Sequence, residues 1–286
     1  MELKGTHSEV LRKSLAILLI CSMMSGGCLS SRSKGHKADV DVAHSIQDEV
    51  DLGKKIHQEI LSSYYVYTKP DVVAYITDVG NSLSRHVKRE LPYRFTILYN
   101  EKIYATSAPG GYVYITTGMM NFLENEAELA AVLSHEIAQQ QYKDPALSHI
   151  RKLMSDVAST GATVAPAFGQ IGMLAALGFV LLHAVSNTEG KSSEDRLQDA
   201  DALALEYMME SGYDPQGLLM VLERFLDMRQ SLLPYFVDYY DSRPISAERV
   251  TRLQEEFADL PLEGRDLLMR PKIYQEMTKG IREIYK

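Results

Sequence analysis

Residues 133–139 read Leu-Ser-His-Glu-Ile-Ala-Gln, and the interpretation of the whole sequence starts from this stretch. It lies within residues 124–142, where apolar side chains recur at helical spacing and form one stripe: Leu129, Val132, Leu133 and Ile137. The segment is therefore predicted to be an amphipathic helix that carries a histidine and a glutamate side by side.

The histidine and the glutamate begin a pattern that zinc peptidases use. In the pattern HExxH, two histidines four residues apart share one helical face and bind the ion, and the glutamate is the general base. Here His135 and Glu136 are present, but Gln139 stands where the second histidine would be. The short fragment has low specificity by itself, because a His-Glu pair on a helix is usually an ordinary surface or core pair.

Two further stretches agree with this pattern in order and spacing. Residues 105–118 read ATSAPGGYVYITTG and precede the helix, whereas Asp199-Ala200-Asp201 and then residues 212–215 (GYDP) follow it. From residue 48 to residue 253 the sequence resembles the periplasmic lipoprotein branch of the HtpX-like zinc metallopeptidases. The resemblance implies an α+β fold of the zincin-like (gluzincin) class, mostly helical with a small sheet.

The resemblance also implies roles for individual residues. His135 corresponds to one zinc ligand and Glu136 to the general base. Gln139 and Leu197 stand at the other two ligand positions, which are a histidine and a glutamate in the family. Asp201 corresponds to the aspartate that orients a ligand histidine.

One more family position lies near the C-terminus of the predicted domain. Arg243 replaces the family's oxyanion-stabilising histidine, just before a proline and near Arg249. Catalytic zinc needs three protein ligands and one open position, and an amide oxygen is a poor substitute for an imidazole. Zinc is therefore implied by family resemblance but is predicted to bind weakly or not at all.

A rescue of the site by neighbouring residues stays open as the less favoured alternative. A shift of one helical turn could aim Glu194 inward, and Asp195 and Asp199 lie near it in sequence. His149 and His183 have no assigned role. The ordinary interpretation is that these carboxylates are solvated and that the histidines occupy polar or core positions.

The predicted substrate-binding residues precede the active-site helix. Residues 112–117 are β-branched or aromatic and indicate a strand after the turn Pro109-Gly110-Gly111. This strand resembles the edge strand on which such peptidases lay an extended substrate, and β-addition requires only backbone hydrogen bonds. Gly111, Tyr112, Val113 and Tyr114 are therefore expected to contact the substrate.

The N-terminal leader indicates export and lipid anchoring. A basic start is followed by the apolar residues 15–20 (LAILLI) and by Ser-Gly-Gly before Cys28, an order typical of lipoprotein signal peptides. The predicted organisation is a signal peptide at 1–27, a tether at 28–45 and a metallopeptidase-like domain at 46–286. A plain secretory signal or a membrane anchor is the alternative, although the apolar run is too short to span a bilayer.

Composition narrows the remaining possibilities. The 286 residues carry a net charge of −8, which argues against a nucleic-acid partner. The only cysteines, Cys21 and Cys28, lie in the leader, so the domain has neither a disulfide nor a thiolate metal site.

Residues 160–185 carry no charge, but Pro166 and four glycines favour a buried or interfacial hairpin over a membrane span.

Three functions follow as hypotheses. The first is a catalytically impaired or inactive pseudopeptidase that binds extended or misfolded envelope polypeptides. The second is an active zinc metalloendopeptidase in envelope protein quality control, and the third is a purely structural envelope lipoprotein. The expected location is the periplasmic face of the bacterial cell envelope, held by the lipid anchor, and Leu29 after Cys28 favours the outer membrane.

Overall fold

The computed structural model describes residues 46–141, 193–230 and 245–286. The first range contains α1 (Ile46–Ser63), α2 (Pro70–Ser84), β1 (Arg94–Leu98), β2 (Ala105–Ala108), β3 (Tyr112–Thr116), α3 (Thr117–Phe122) and α4 (Glu126–Gln139). The others contain α5 (Ser193–Glu210), α6 (Gln216–Gln230), α7 (Ala247–Ala258), α8 (Pro271–Met277) and α9 (Lys279–Ile284). The expected α+β class, mostly helical with a small sheet, is confirmed.

The three strands form one mixed sheet in the order β1-β3-β2. β1 is parallel to β3, with Arg94 opposite Tyr112, and β2 is antiparallel to β3, with Ala108 opposite Tyr112. The turn between β2 and β3 contains Gly110 and Gly111 at φ +77° and +87°, a conformation that glycine adopts readily. β3 is therefore the central strand, and the expectation that it is an edge strand is wrong.

Helix α4, which carries His135, is the centre of the core. Every residue from Glu126 to Ala138 is buried, because α4 packs against α2, α5 and α6 as well as the sheet. The helix begins at the cap residue Asn125, whose side chain accepts a hydrogen bond from the Glu128 amide. The helix is thus fixed along its whole length, and so is the position of His135.

Two buried carboxylates in the first turn of α4 have charged partners. Glu126 lies 3.1 Å from the Arg270 guanidinium and accepts a hydrogen bond from Tyr75 at 2.9 Å. Glu128 accepts two hydrogen bonds from Arg224, at 2.7 and 3.0 Å. A buried carboxylate is tolerated only with such compensation. These pairs connect α4 to α6 and to the segment before α8.

The predicted elements agree with the observed ones to within a few residues. Periodicity in the sequence predicts helices at residues 48–63, 71–87, 124–142, 195–209, 217–232 and 247–257, and these correspond to α1, α2, α4, α5, α6 and α7. It also predicts strands at residues 95–99 and 112–117, which correspond to β1 and β3. β2, α3, α8 and α9 were not expected. The hairpin predicted at residues 160–185, the leader and the tether lie outside the described residues.

Candidate metal centre

A buried chain of three side chains connects helices α4, α5 and α7. Nδ1 of His135 lies 2.7 Å from Oδ1 of Asp201. Arg249 donates two hydrogen bonds to the same carboxylate, from Nε at 2.7 Å and from Nη2 at 2.9 Å. His135, Asp201 and Arg249 are only 5%, 2% and 3% exposed. The imidazole is therefore held by a carboxylate that is itself fixed from behind.

The ionisation of Asp201 is set mainly by Arg249. Burial by itself would raise the pKa of the Asp201 carboxyl, but Arg249 and then His135 lower it to about 2. Two parallel hydrogen bonds from a guanidinium stabilise the ionised form of a carboxylate strongly. Asp201 consequently stays ionised and keeps a negative charge against His135.

The N-terminus of α7 places Arg249. Ser246 caps the helix by accepting a hydrogen bond from the Arg249 amide at 3.0 Å. The same hydroxyl donates to Oε1 of Glu194 in α5 at 2.6 Å. Glu194, which was considered as a substitute ligand, instead connects α5 to the cap of α7.

The other two ligand positions do not complete a zinc site. Gln139 lies one turn after His135 and is partly exposed, and its Nε2 is buried without a hydrogen-bond partner in the described part of the chain. Leu197 is 1% exposed and offers no donor atom. Among residues 46–141, 193–230 and 245–286, no three His, Cys, Asp or Glu side chains could hold one metal ion. The described residues at these positions therefore do not make up a catalytic zinc site.

The side chains of His135 and Glu136 are both buried. Nε2 of His135 is buried and has no hydrogen-bond partner within the described ranges. Glu136 is 1% exposed. With Asp201 at Nδ1, the imidazole presents Nε2 as its remaining polar atom. The orientation typical of a ligand histidine thus persists although the rest of the ligand set does not.

A second polar network fixes the turn between β2 and β3 against α1 and α4. The Gly110 amide donates to Oε1 of Glu49 at 3.0 Å, and the Gly111 amide donates to Oε1 of Gln140 at 2.9 Å. Arg89 pairs with Glu49 and donates to the Gln140 carbonyl at 3.0 Å. Gln140, the residue after Gln139, therefore holds the turn.

The four predicted substrate-binding residues already have partners within the folded domain. The Gly111 amide is bonded to Gln140, and the strand from Tyr112 onward is paired on both sides. The Tyr112 ring stacks on His57 of α1 at 4.7 Å, and the Tyr114 hydroxyl lies 2.9 Å from Nδ1 of His57. Val113 is buried. β-Addition at these residues is excluded because both edges of β3 are taken.

The structure also identifies residues whose roles the sequence did not show. Arg249 was noted only as a neighbour of Arg243, and Gln140 was not singled out. Ser246 is a residue type that commonly caps a helix N-terminus, but nothing local shows that Arg249 reaches Asp201, 48 residues away. Arg243, His149 and His183 lie outside the described residues, and for Asp195 and Asp199 the structure assigns no ligand role.

Comparison with known proteins agrees with this architecture. The pattern of Peptidase family M48 matches residues 70–257. The beta-barrel assembly-enhancing protease of Escherichia coli is 26% identical over 253 residues, which are 82% of this chain and 48% of that protein. The protein of the same name from Yersinia pestis is 27% identical over 192 residues, covering 64% and 38%.

The chain spans about half the length of the curated relatives it matches. The family pattern, in contrast, covers well over half of the chain, including α4 with His135 and α5 with Asp201. On that match the chain belongs to Peptidase family M48.

Proposed function

We propose that this chain is a non-hydrolytic member of its family that binds extended polypeptides in a bacterial envelope. The lipid predicted on Cys28 would hold it at the periplasmic face, and the net charge of −8 argues against a nucleic-acid partner. The fold supplies a rigid scaffold around a former catalytic site, and binding then replaces cleavage as its function.

The observation that carries the proposal is the donor set at the site. His135 is oriented by Asp201 as a ligand would be, but Gln139 and Leu197 provide no second imidazole and no carboxylate. Catalytic zinc sites use three protein ligands. A single imidazole with one amide loses most of the binding free energy, so Glu136 has no metal ion to work with.

The relatives support the choice of partner. They are named as proteases that enhance β-barrel assembly, a process whose participants are polypeptides. A protein that keeps this fold but cannot cut can still recognise unfolded chains. We therefore propose that the present chain binds polypeptides in the cell envelope and is anchored to the outer membrane.

The test is to measure zinc and proteolysis on the same preparation. The purified full-length protein, incubated with excess zinc and then desalted, is expected to retain far less than one zinc ion per chain by elemental analysis. It should leave unfolded casein intact. One tightly held zinc per chain, with proteolysis that a chelator and the Glu136→Gln change both abolish, would overturn the proposal.

An active metalloendopeptidase is the second candidate, because one observation favours it. The buried Nε2 of His135 has no partner among the described residues, and Asp201 contacts Nδ1 as in an intact site. The same experiment decides between the two functions. Chelator-sensitive cleavage selects the enzyme, whereas intact casein together with casein binding selects the non-hydrolytic protein.

A further inference from the structure

The sheet continues beyond β1 through a short edge segment, residues 65–67. The Tyr67 amide donates to the Ile97 carbonyl at 2.9 Å, and the Tyr99 amide donates to the Tyr65 carbonyl at 2.7 Å. Val66 thereby stands opposite Leu98 in an antiparallel bridge. The outermost position of the sheet on this side is the edge segment and not β1.

The backbone of Val66 faces away from the sheet. In this bridge the two hydrogen bonds come from the residues that flank Val66, so its own N–H and C=O point outward. Neither group has a hydrogen-bond partner in the described part of the chain. One residue of an incoming antiparallel strand could exchange two hydrogen bonds with Val66.

Exposed apolar side chains surround this free edge. Tyr65 is 81% exposed, and Tyr99, which is bonded to it through the backbone, is 46% exposed. Val66 and, one helical turn back in α1, Leu61 are 38% and 42% exposed. Large exposed side chains of this kind commonly mark an interaction surface. By contrast, all four residues of β2 at the other edge are buried.

The C-terminal end of the edge segment is cationic. Lys69 is exposed, and its Nζ lies close to Gly280 at the start of α9, next to the exposed Lys279. Charge complementarity therefore favours a carboxylate in the part of a bound strand that lies beyond Tyr67.

We propose that the edge segment binds an extended polypeptide by β-addition, with an acidic residue of that polypeptide near Lys69. The proposal rests on the proposed polypeptide-binding function and gives it a location at the opposite edge of the sheet from β2. The backbone of Val66 supplies the hydrogen bonds, and Tyr65 and Tyr99 supply apolar contact area.

The probe is a fluorescein-labelled peptide of alternating valine and threonine with a glutamate at each end. Its binding to the full-length protein is measured by fluorescence anisotropy in the presence of a chelator, and mass spectrometry checks that the peptide stays intact. A copy that is N-methylated on alternate residues cannot pair along one edge and is expected not to bind. A copy with terminal lysines is expected to bind more weakly.

The decisive variant is Val66→Pro. Proline removes the outward N–H but keeps both hydrogen bonds of the bridge to β1, because neither uses the Val66 amide. We expect affinity to fall about tenfold, whereas the matched Val66→Thr change, which keeps the N–H, should cost at most about twofold. Circular dichroism on both variants checks that they are folded.

Hydrogen exchange provides a readout that needs no variant. In the natural chain the Val66 amide should exchange fast and become protected when the peptide binds. Equal affinity of Val66→Pro and Val66→Thr, or an amide that stays unprotected, overturns the proposal. Loss of self-association in Val66→Pro would identify a second copy as the occupant, and binding to anionic vesicles but not to peptide would identify a lipid surface. Either result also overturns it.

These outcomes are separate from those of the zinc experiment. If the chain proves to be an active peptidase, the proposed function fails, but the chelated peptide measurement still decides whether the edge segment binds strands. If zinc is absent and casein binds while Val66→Pro has no effect, only the location is wrong.

Discussion

At the scale of single residues, Asp201 is the side chain that connects His135 to Arg249. It contacts His135 on one side and Arg249 on the other, and all three are buried. An unpaired buried charge is far more costly than a paired one. The carboxylate therefore stabilises the fold whether or not any metal binds.

The first prediction compares the natural chain with Asp201→Asn across pH. At pH 7 the variant should lose about 3 kcal/mol of unfolding free energy, because Arg249 keeps its charge without a partner. Since the folded pKa of Asp201 is about 2 and its ordinary value is 3.8, the carboxylate's contribution is complete above about pH 5 and is lost as the pH falls through 2. Urea titrations should show the gap narrowing accordingly.

The double variant Asp201→Asn with Arg249→Met is the control for that experiment. It removes the orphaned guanidinium as well, so it should be less destabilised than Asp201→Asn alone. A gap between the natural chain and the single variant that stays constant from pH 7 to pH 2 would show that folding does not lower the pKa of Asp201.

The second prediction concerns Gln139 and Leu197, which stand at the two positions where the family resemblance implies zinc ligands. Gln139→His combined with Leu197→Glu should recover close to one zinc ion per chain, because His135 is already oriented and the restored histidine lies four residues away on the same face. Each single variant provides only two ligands and should bind much less. The readout is elemental analysis, because Arg243 still replaces the oxyanion histidine. A folded double variant without zinc would mean that α4 and α5 no longer have the spacing of an intact site.

At the scale of elements, α1 approaches the turn between β2 and β3 closely enough to require a glycine. A Cβ on Gly53 would lie 1.9 Å from the Pro109 carbonyl oxygen. No rotamer change relieves a clash with backbone, so the helix or the turn would have to move.

The third prediction is that Gly53→Ala destabilises the protein by about 2 kcal/mol, even though alanine is the better helix former. Gly280→Ala in α9 is the matched control. Its Cβ would lie 3.5 Å or more from Lys69 and Tyr67 side-chain atoms, so its effect should stay within about 0.5 kcal/mol. Thermal unfolding of the two variants decides, and equal melting temperatures would contradict the close approach.

The elements themselves could largely be predicted from the sequence, because helical and strand periodicities are local. β2 escaped detection because Ala-Thr-Ser-Ala has small side chains and little alternation in hydrophobicity. The central position of β3 could not be predicted, since strand order depends on which distant segments pair. The sequence identified Gln139 and Leu197 at the two positions where the family resemblance implies zinc ligands, but the Asp201–Arg249 pair and the role of Gln140 depend on contacts across tens of residues.

At the scale of the whole molecule, none of the described helices is both long and apolar enough to cross a membrane. The sequence of the leader predicts attachment to a membrane through a lipid at Cys28, which lies outside the described residues. Two cysteines are available in the leader, so the position of the lipid can be tested with a matched pair of variants.

The fourth prediction is that Cys28→Ser leaves the protein unprocessed or releases it from the membrane fraction, because no thiol remains at the expected site of acylation. Cys21→Ser should be processed and fractionate like the natural chain. Mass spectrometry of the mature N-terminus and fractionation of the envelope give the answer. A Cys28→Ser protein that is processed at the same size and stays in the membrane would show that another anchor operates.

The glycine turn has a consequence for how the molecule assembles. Its two amides donate to the side chains of Glu49 in α1, 61 residues away, and of Gln140, which directly follows α4 and is 29 residues away. The β2–β3 hairpin therefore cannot complete its own polar contacts until both helices have docked. Opening the turn would break its hydrogen bonds to Glu49 and to Gln140 at the same time. The turn should therefore open only together with the rest of the domain, as part of one cooperative unit.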